Sequence, residues 1–469
     1  MKKKRNLFFN FLEIINSMIF RIKLLVIFIL LSSTTFYVKN IYGQSLEESL
    51  VAAYKNNPLL KSQRASLRAT DEQIPQALSG FRPSLTLSTS ASVNHVQGKS
   101  TGSTDTKPRS LSLSLSQPLY RGGRTTNTIK QAEANIIAAR ARINQSEQSI
   151  LQSVIRIYMD VLRDTAVVEL NLSNEERLKK QAQATRDRFD VGEVTRTDVA
   201  QAEARLSRVI SERVAAEGSL GVSKATFIRI TGIEAKSLTR VPPISFIPSS
   251  VDEAISLALE KNPALIQALS VQRAAIASIE IAKSSMRPTV TINGSLTTAY
   301  DSSSFNYITE TAQVSTSLSV PIFQGGTLSS QVRQAKQLAS QRKLELEQQR
   351  QTIIEGVTSA WTALQSASDR IRSNIVQVEA AEIALDGVIQ EAEVGARTTL
   401  DVLDAEQELS DAQVALVRAE RDEFVAAFDL RLAIGTLSAE ELGLPTTLYD
   451  PNKNYNLVKN KLFGVEIIE

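Results

Sequence analysis

Two hydrophobic rhythms alternate along this chain, and the sequence of rhythms is played twice. Leu85, Leu87, Thr89, Ala91 and Val93 alternate with Ser84, Thr86, Ser88, Ser90 and Ser92, and further on Leu111, Leu113 and Leu115 alternate with Ser110, Ser112, Ser114 and Ser116. The later half repeats this with Val290, Ile292 and Leu296 against Thr289, Thr291 and Ser295, then Val314, Leu318 and Val320 against Ser315, Ser317 and Ser319. A period of two gives each segment one apolar and one hydroxyl-rich face. It predicts strands over 83–95, 110–119, 288–300 and 311–321. About ten residues is the reach of a tilted transmembrane strand, and membrane barrels are apolar outside and polar inside. A hairpin lying on a soluble core shares this alternation, so other features must decide. The connections Gln97–Arg109 and Asp301–Glu310 are polar and suit exposed loops.

The second rhythm is helical. From Arg124 to Val191 there is neither Pro nor Gly, and Ala, Gln, Glu, Arg and Ile dominate. Ile129, Ala132, Ile136, Ala139, Ile143, Ser146, Ile150, Ser153 and Ile157 keep the 3–4 spacing of a coiled-coil seam. Long helices are predicted over 124–190 and 328–392, with return helices over 198–231 and 401–434. A 65-residue helix is about 98 Å long. No single core of this size buries such a rod, so other helices must flank it. A helix of about 23 residues precedes each strand pair, ending near Gly80 and Ser285. Stacked on a 34-residue return helix it spans roughly 85 Å, close to the long rod.

The two halves are copies. Ser45–Pro83 lies on Ser250–Pro288 without a gap, matching Asn57-Pro58 to Asn262-Pro263 and Arg82-Pro83 to Arg287-Pro288 at an offset of 205. From Pro118 the offset is 203: Gly122-Gly123 falls on Gly325-Gly326, Val191-Gly192 on Val394-Gly395 and Asp198-Val199 on Asp401-Val402. The expected organisation is a leader over 1–43, one repeat over 44–243, a second over 244–440 and a tail over 441–469. The Pro-rich stretch Val241–Pro248 links the copies.

The leader reads as a secretory signal: Lys2, Lys3, Lys4 and Arg5, then an apolar run Leu24–Leu31 too short to span a bilayer, and a cleavage point near Gly43. Residues 1–43 hold seven basic residues and one acidic. Of 53 basic and 50 acidic residues, 46 and 49 then remain, a net charge of −3. With no basic patch interleaved with aromatics, nucleic acid is not an expected partner. The chain has no cysteine, which removes disulfides, thiolate metal sites, a cysteine nucleophile and a lipid anchor. No nucleophile–base set or metal-ligand cluster stands out, so neither catalysis nor a cofactor is expected. His95 sits beside an exposed loop, and the Gly-Gly pairs lack the Lys-Ser/Thr of a phosphate loop.

Four strands cannot close a membrane barrel, for which about eight is the smallest number seen. An open edge in lipid leaves backbone groups unpaired at several kcal/mol each. Closure must come from sister chains, with 8 strands from two or 12 from three. The mature chain resembles the TolC family of outer-membrane efflux and secretion channels. The likeness lies in the tandem repeat, in Arg188-Phe189-Asp190-Val191-Gly192 with Thr197-Asp198-Val199, and in Val394-Gly395-Ala396-Arg397-Thr398 with Asp401-Val402-Leu403-Asp404-Ala405. The tail Leu448-Tyr449-Asp450-Pro451 with Phe463-Gly464 also looks like members from alphaproteobacteria. The resemblance implies a membrane β-barrel joined to a long α-helical coiled-coil barrel, made by a homotrimer with 12 strands and 12 rods. It implies an outer-membrane exit duct of a tripartite efflux or type I secretion system, reaching into the periplasm. A periplasmic adaptor would join it there to an inner-membrane pump of RND or ABC type.

Both turns between rods lie at the end far from the barrel. Gly192 and Gly395 suit helix C-caps, and Asp198 and Asp401 open the return helices where a carboxylate favours the dipole. By resemblance, Arg397 ties the inner hairpin to its neighbour through Thr197 and Asp198, and Asp401 and Asp404 ring the narrowest point, where they would attract cations. Val191, Gly192 and Glu193, with Val394, Gly395 and Ala396, would form the adaptor-docking turns. The family tyrosine that braces this gate falls at Ala392, so one link of the closed state is missing. A surface-anchored adhesive coiled-coil protein is the competing reading. It explains the rods and leader but not two pairs of amphipathic strands.

Overall fold

The computed structural model describes residues 43–98, 102–241, 248–301 and 307–467. The leader before Gly43 and most of the link between the repeats lie outside the described residues.

Repeat one opens with α1 (Leu46–Asn56), α2 (Pro58–Asp71) and α3 (Gln73–Leu78), then a 3-10 turn over Ser79–Phe81. Strands β1 (Ser84–Ala91), β2 (Asn94–Gly98), β3 (Gly102–Thr106) and β4 (Arg109–Arg121) follow, then α4 (Arg124–Asp190) and α5 (Arg196–Thr231). Repeat two holds α6 (Val251–Lys261), α7 (Pro263–Ser284), β5 (Thr289–Tyr300), β6 (Ile308–Ser319), α8 (Thr327–Glu393) and α9 (Thr399–Ile434); a short α10 (Asn452–Val458) lies in the tail. The fold is thus mostly helical with one principal sheet.

Local chemistry explains the breaks. Asn57 and Asn262 end α1 and α6, and each side chain accepts from the backbone N–H two residues on at 2.9 Å, with Pro at the first helical position. Proline needs no donor there, so the pair restarts the helix in a new direction. The single helix expected before β1 is divided, because Pro75 lacks an N–H and its ring crowds the carbonyl of Asp71, where α2 stops. Its counterpart at 280 is Glu, and α7 runs unbroken to Ser284.

The principal sheet is antiparallel in the order β1-β4-β5-β6. Rungs cross it by kind. Leu87 faces Leu113, Leu113 faces Leu296 and Leu296 faces Ala312, while Ser88, Ser112, Thr297 and Thr311 form the adjacent polar rung. Ser112 and Thr297 hydroxyls meet at 2.9 Å, and the Ser116 hydroxyl donates to Asn293 at 3.0 Å. The apolar face is bare: Leu85, Leu87 and Leu318 are each about two-thirds exposed. The sheet stays open, with β1 and β6 as edges.

Several strand limits differ from expectation, β4 running over Arg109–Arg121 rather than 110–119 and β6 beginning at Ile308 rather than 311. The first strand ends at Ala91 rather than 95, and the supposed loop after it contains the β2–β3 hairpin. Pro108 causes this: it offers a carbonyl to Ser92 at 3.0 Å but no N–H, so the ladder with β4 stops and a new one starts. The last strand ends at Ser319 rather than 321.

The largest core lies where α1, α2, α4, α9 and the tail converge, around Leu50, Leu60, Leu67, Ile136, Leu151 and Leu437. The tail is strapped there: the Tyr449 N–H donates to the Tyr54 hydroxyl at 3.0 Å, Asn454 donates to Asp71 at 2.8 Å, and the Ala439 N–H donates to Glu147 at 2.8 Å. Arg64 lies between the Tyr54 and Tyr449 rings, 4.6 and 5.0 Å from their centroids.

Candidate functional site

The α4–α5 and α8–α9 turns have one design. The Gly192 N–H donates to Phe189 O and the Glu193 N–H to Arg188 O, both at 2.9 Å; Gly395 and Ala396 repeat this with Ala392 at 3.1 Å and Glu391 at 2.8 Å. These bonds close the last carbonyls of each rod, and they require a left-handed residue, which Gly supplies at φ 82 and 77. Each return helix starts on a capping box. Thr195 and Thr398 are the caps, and Asp198 and Asp401 are third in the helix, accepting from the cap N–H at 2.8 and 2.9 Å. Bonds from Thr195 and Thr398 hold both carboxyls below the usual aspartate range. Val191 and Val394 protrude at 73% and 80% exposure, although neither turn has a core of its own to cover.

Within one chain Arg397 does not meet Thr197 or Asp198. Its Nε donates to Glu391 Oε2 at 2.8 Å, and that bond, with Asp401 nearby, raises the guanidinium pKa. Thr197 is exposed, and Asp198 is occupied by its cap.

The two hairpins are joined elsewhere. Arg205 on α5 donates to Asp404 on α9 at 2.5 Å. Asp404 is therefore paired within its own chain, by a residue that sequence inspection passed over. Beside this pair Leu178, Ala202 and Val209 of one hairpin pack on Leu403 of the other. One layer further from the turns Asn174 donates to Ser410 at 3.3 Å. Glu406 is buried there, with Oε2 unpartnered among the described residues. Burial pushes its carboxyl up, against the opposing pull of Arg177. A rise of α9 by three to four residues per turn puts Leu403, Glu406 and Ser410 on one face toward hairpin one.

His95 lies on the exposed β2–β3 hairpin with Nδ1 2.5 Å from Asp105 and Ser103 Oγ 3.3 Å from Nε2. His95 and Asp105 are cross-strand partners at 61% and 71% exposure. Among the described residues no group of His, Asp and Glu is arranged for a metal ion.

Paired rods with capped turns at one end and an open amphipathic sheet at the other define a class of envelope-spanning channel subunits. The family model for outer membrane efflux proteins matches residues 50–233 and again 254–436. The chain belongs to that family, and its two matches are the two repeats. It is similar to the outer membrane efflux protein BepC of Brucella suis biovar 1, 34% identical over 442 residues covering 93% of this chain and 95% of the relative. Similarity extends to the outer membrane protein TolC of Vibrio cholerae, 27% identical over 418 residues and covering 86% and 93%. The fold matches the CmeC outer membrane channel of Campylobacter jejuni at a TM-score of 0.75 and 16% identity, covering 88% and 89%. The chain is therefore an outer-membrane channel protein that reaches into the periplasm and serves as an exit duct.

Proposed function

We propose that three copies close one conduit, with a 12-stranded barrel in the outer membrane and a helical tunnel whose far mouth is formed by the α4–α5 and α8–α9 turns. The observation carrying this reading is a sheet of four strands with both edges open, in the same chain as two 67-residue helices about 100 Å long. Lipid does not tolerate unpaired edges, so the sheet demands neighbours. An adhesin would need neither the apolar sheet face nor its matched polar face.

The turns form the resting gate and the docking point. Arg205–Asp404 holds the two hairpins of each chain together, and Arg397 reaches Thr197 and Asp198 of an adjacent hairpin when the mouth is shut. Asp401 and Asp404 face the constriction and favour cations. Val191, Gly192 and Glu193, with Val394, Gly395 and Ala396, present apolar tips to a periplasmic adaptor, which couples the duct to an inner-membrane pump of RND or ABC type. The cargo is small molecules or a secreted protein.

Purified protein in a planar bilayer tests this: low conductance is expected at rest, rising when Arg397→Ala loosens the mouth. No conductance from either form would overturn the duct. A deletion strain profiled for drug and detergent sensitivity and for secreted proteins identifies the cargo, and unchanged profiles throughout would count against export.

A further inference from the structure

The last stretch of the tail leaves the bundle with its apolar side chains bare. Leu462, Phe463, Val465 and Ile467 fall within six residues and are 63%, 87%, 98% and 84% exposed. One helical turn earlier Val458 is 5% exposed, so packing stops abruptly where α10 ends. Single exposed apolar residues are ordinary, but a cluster of this kind marks a surface that something apolar covers.

The course of the tail says where that cover lies. The Ala439 N–H meets Glu147 of α4, and further along the tail the Tyr455 ring receives Arg140 at 5.4 Å, about two helical turns nearer the start of α4. On its other side the Tyr449 ring takes Arg64 of α2, and Asn454 then donates to Asp71 at the end of the same helix. Helix α4 begins directly after β4, and α2 leads through α3 into β1. Both series of contacts therefore climb toward the sheet.

The remaining distance is short enough. Arg140 lies about 24 Å along the rod from Arg124, at 1.5 Å per residue. Residues 459–467 span up to about 30 Å when extended. Lys461 Nζ donates to Glu466 O at 2.8 Å across Gly464, at φ 95, which folds the tip back on itself; opening that exposed bond lets it extend. Phe81, Ile322 and Phe323 are exposed at the base of the sheet and mark the near boundary of lipid, and headgroups reach about 5–7 Å beyond the hydrocarbon toward the tip. The charge also fits. Lys453, Lys459 and Lys461 precede the tip with no acidic residue between them, in a mature chain whose net charge is −3. Lysines followed by Leu, Phe, Val and Ile suit a segment that lies in the interface of a membrane with anionic headgroups.

We propose that Leu462, Phe463, Val465 and Ile467 enter the periplasmic leaflet of the outer membrane beside the sheet. This rests on the reading that the sheet crosses that membrane. The tail then runs from the core around Leu50 and Leu437 to the lipid, and it lashes the upper end of the helical bundle to the bilayer by a contact separate from the strands.

Trp361 is the one tryptophan of the chain, so a single reporter is readily moved. The experiment places Trp361→Phe/Phe463→Trp full-length protein in vesicles of phosphatidylethanolamine and phosphatidylglycerol whose acyl chains are brominated near the headgroup. Bromine quenches tryptophan only on close approach. Trp361→Phe/Leu318→Trp, with its reporter on the bare apolar face of β6, is the control for lipid contact. Quenching of the Phe463→Trp reporter to at least half the extent seen in the control is expected. An unquenched tail reporter beside a quenched control overturns the proposal, its emission then telling water (red-shifted) from cover by a sister copy or another protein (blue-shifted). If the control too is unquenched, the sheet is not in lipid and the membrane reading itself falls.

Discussion

Replacing Arg205 with Ala should loosen the tunnel mouth. The guanidinium and the Asp404 carboxylate meet at 2.5 Å, with side chains 28% and 57% exposed. A pair this open to solvent contributes about 0.5–1 kcal/mol after screening and side-chain ordering. If opening moves three copies together, the sum is about 1.5–3 kcal/mol, which raises the open-to-closed ratio roughly 10- to 150-fold at 1.4 kcal/mol per decade. The assay is single-channel recording at low salt, where Arg205→Ala should show frequent high-conductance openings. Raising salt on the unaltered protein should move it the same way, since an exposed pair is screened within about 10 Å at 0.1 M. The exchange Arg205→Asp with Asp404→Arg should restore the quiet state. Unchanged conductance in Arg205→Ala, in a preparation where Arg397→Ala opens the channel, would refute the latch and leave Arg397 as the gate.

Three further outcomes follow from the same contacts. Glu406 is pushed up by burial, so the folded hairpin pair binds its proton more tightly than the separated state. The closed arrangement should therefore gain stability as pH falls through that raised value toward the ordinary 4.5 and lose it as pH rises; openings should be rarer at pH 5 than at pH 8, and Glu406→Gln should flatten that dependence. Tyr449→Ala removes one ring from the Arg64 sandwich and should lower unfolding stability by about 1–3 kcal/mol without altering conductance, read by thermal melts. Thr398→Ala removes a helix cap and should leave the trimer intact while raising proteolytic nicking near residue 398; nicking no faster than in the unaltered protein would argue that the cap does not order the turn.

How much of this was readable from residues alone depends on how local each cause is. The rods were legible because Arg124–Asp190 contains no Gly or Pro and because Gly192 and Asp198 mark the closing turn. The sheet faces were legible because serine and leucine alternate without a fault in β4 up to Ser116. The split at Glu72 was present in Pro75 but masked by the likeness of the two copies, whose second member has Glu280 instead. The β2–β3 hairpin was missed because its residues, Gly-Ser-Thr-Asp-Thr among them, are polar apart from Val96 and carry no periodic signal. The Arg205–Asp404 and Arg177–Glu406 encounters join positions about 200 residues apart, and no spacing rule connects them. Family resemblance drew attention to Arg397, whereas folding the single chain exposes Arg205.

The central claim is that one chain cannot seal its own sheet. Native mass spectrometry of the protein extracted from outer membranes in mild detergent measures this directly. Three chains per particle are expected, resistant to dilution and separating only on heating; a single water-soluble chain that needs no detergent would contradict the duct.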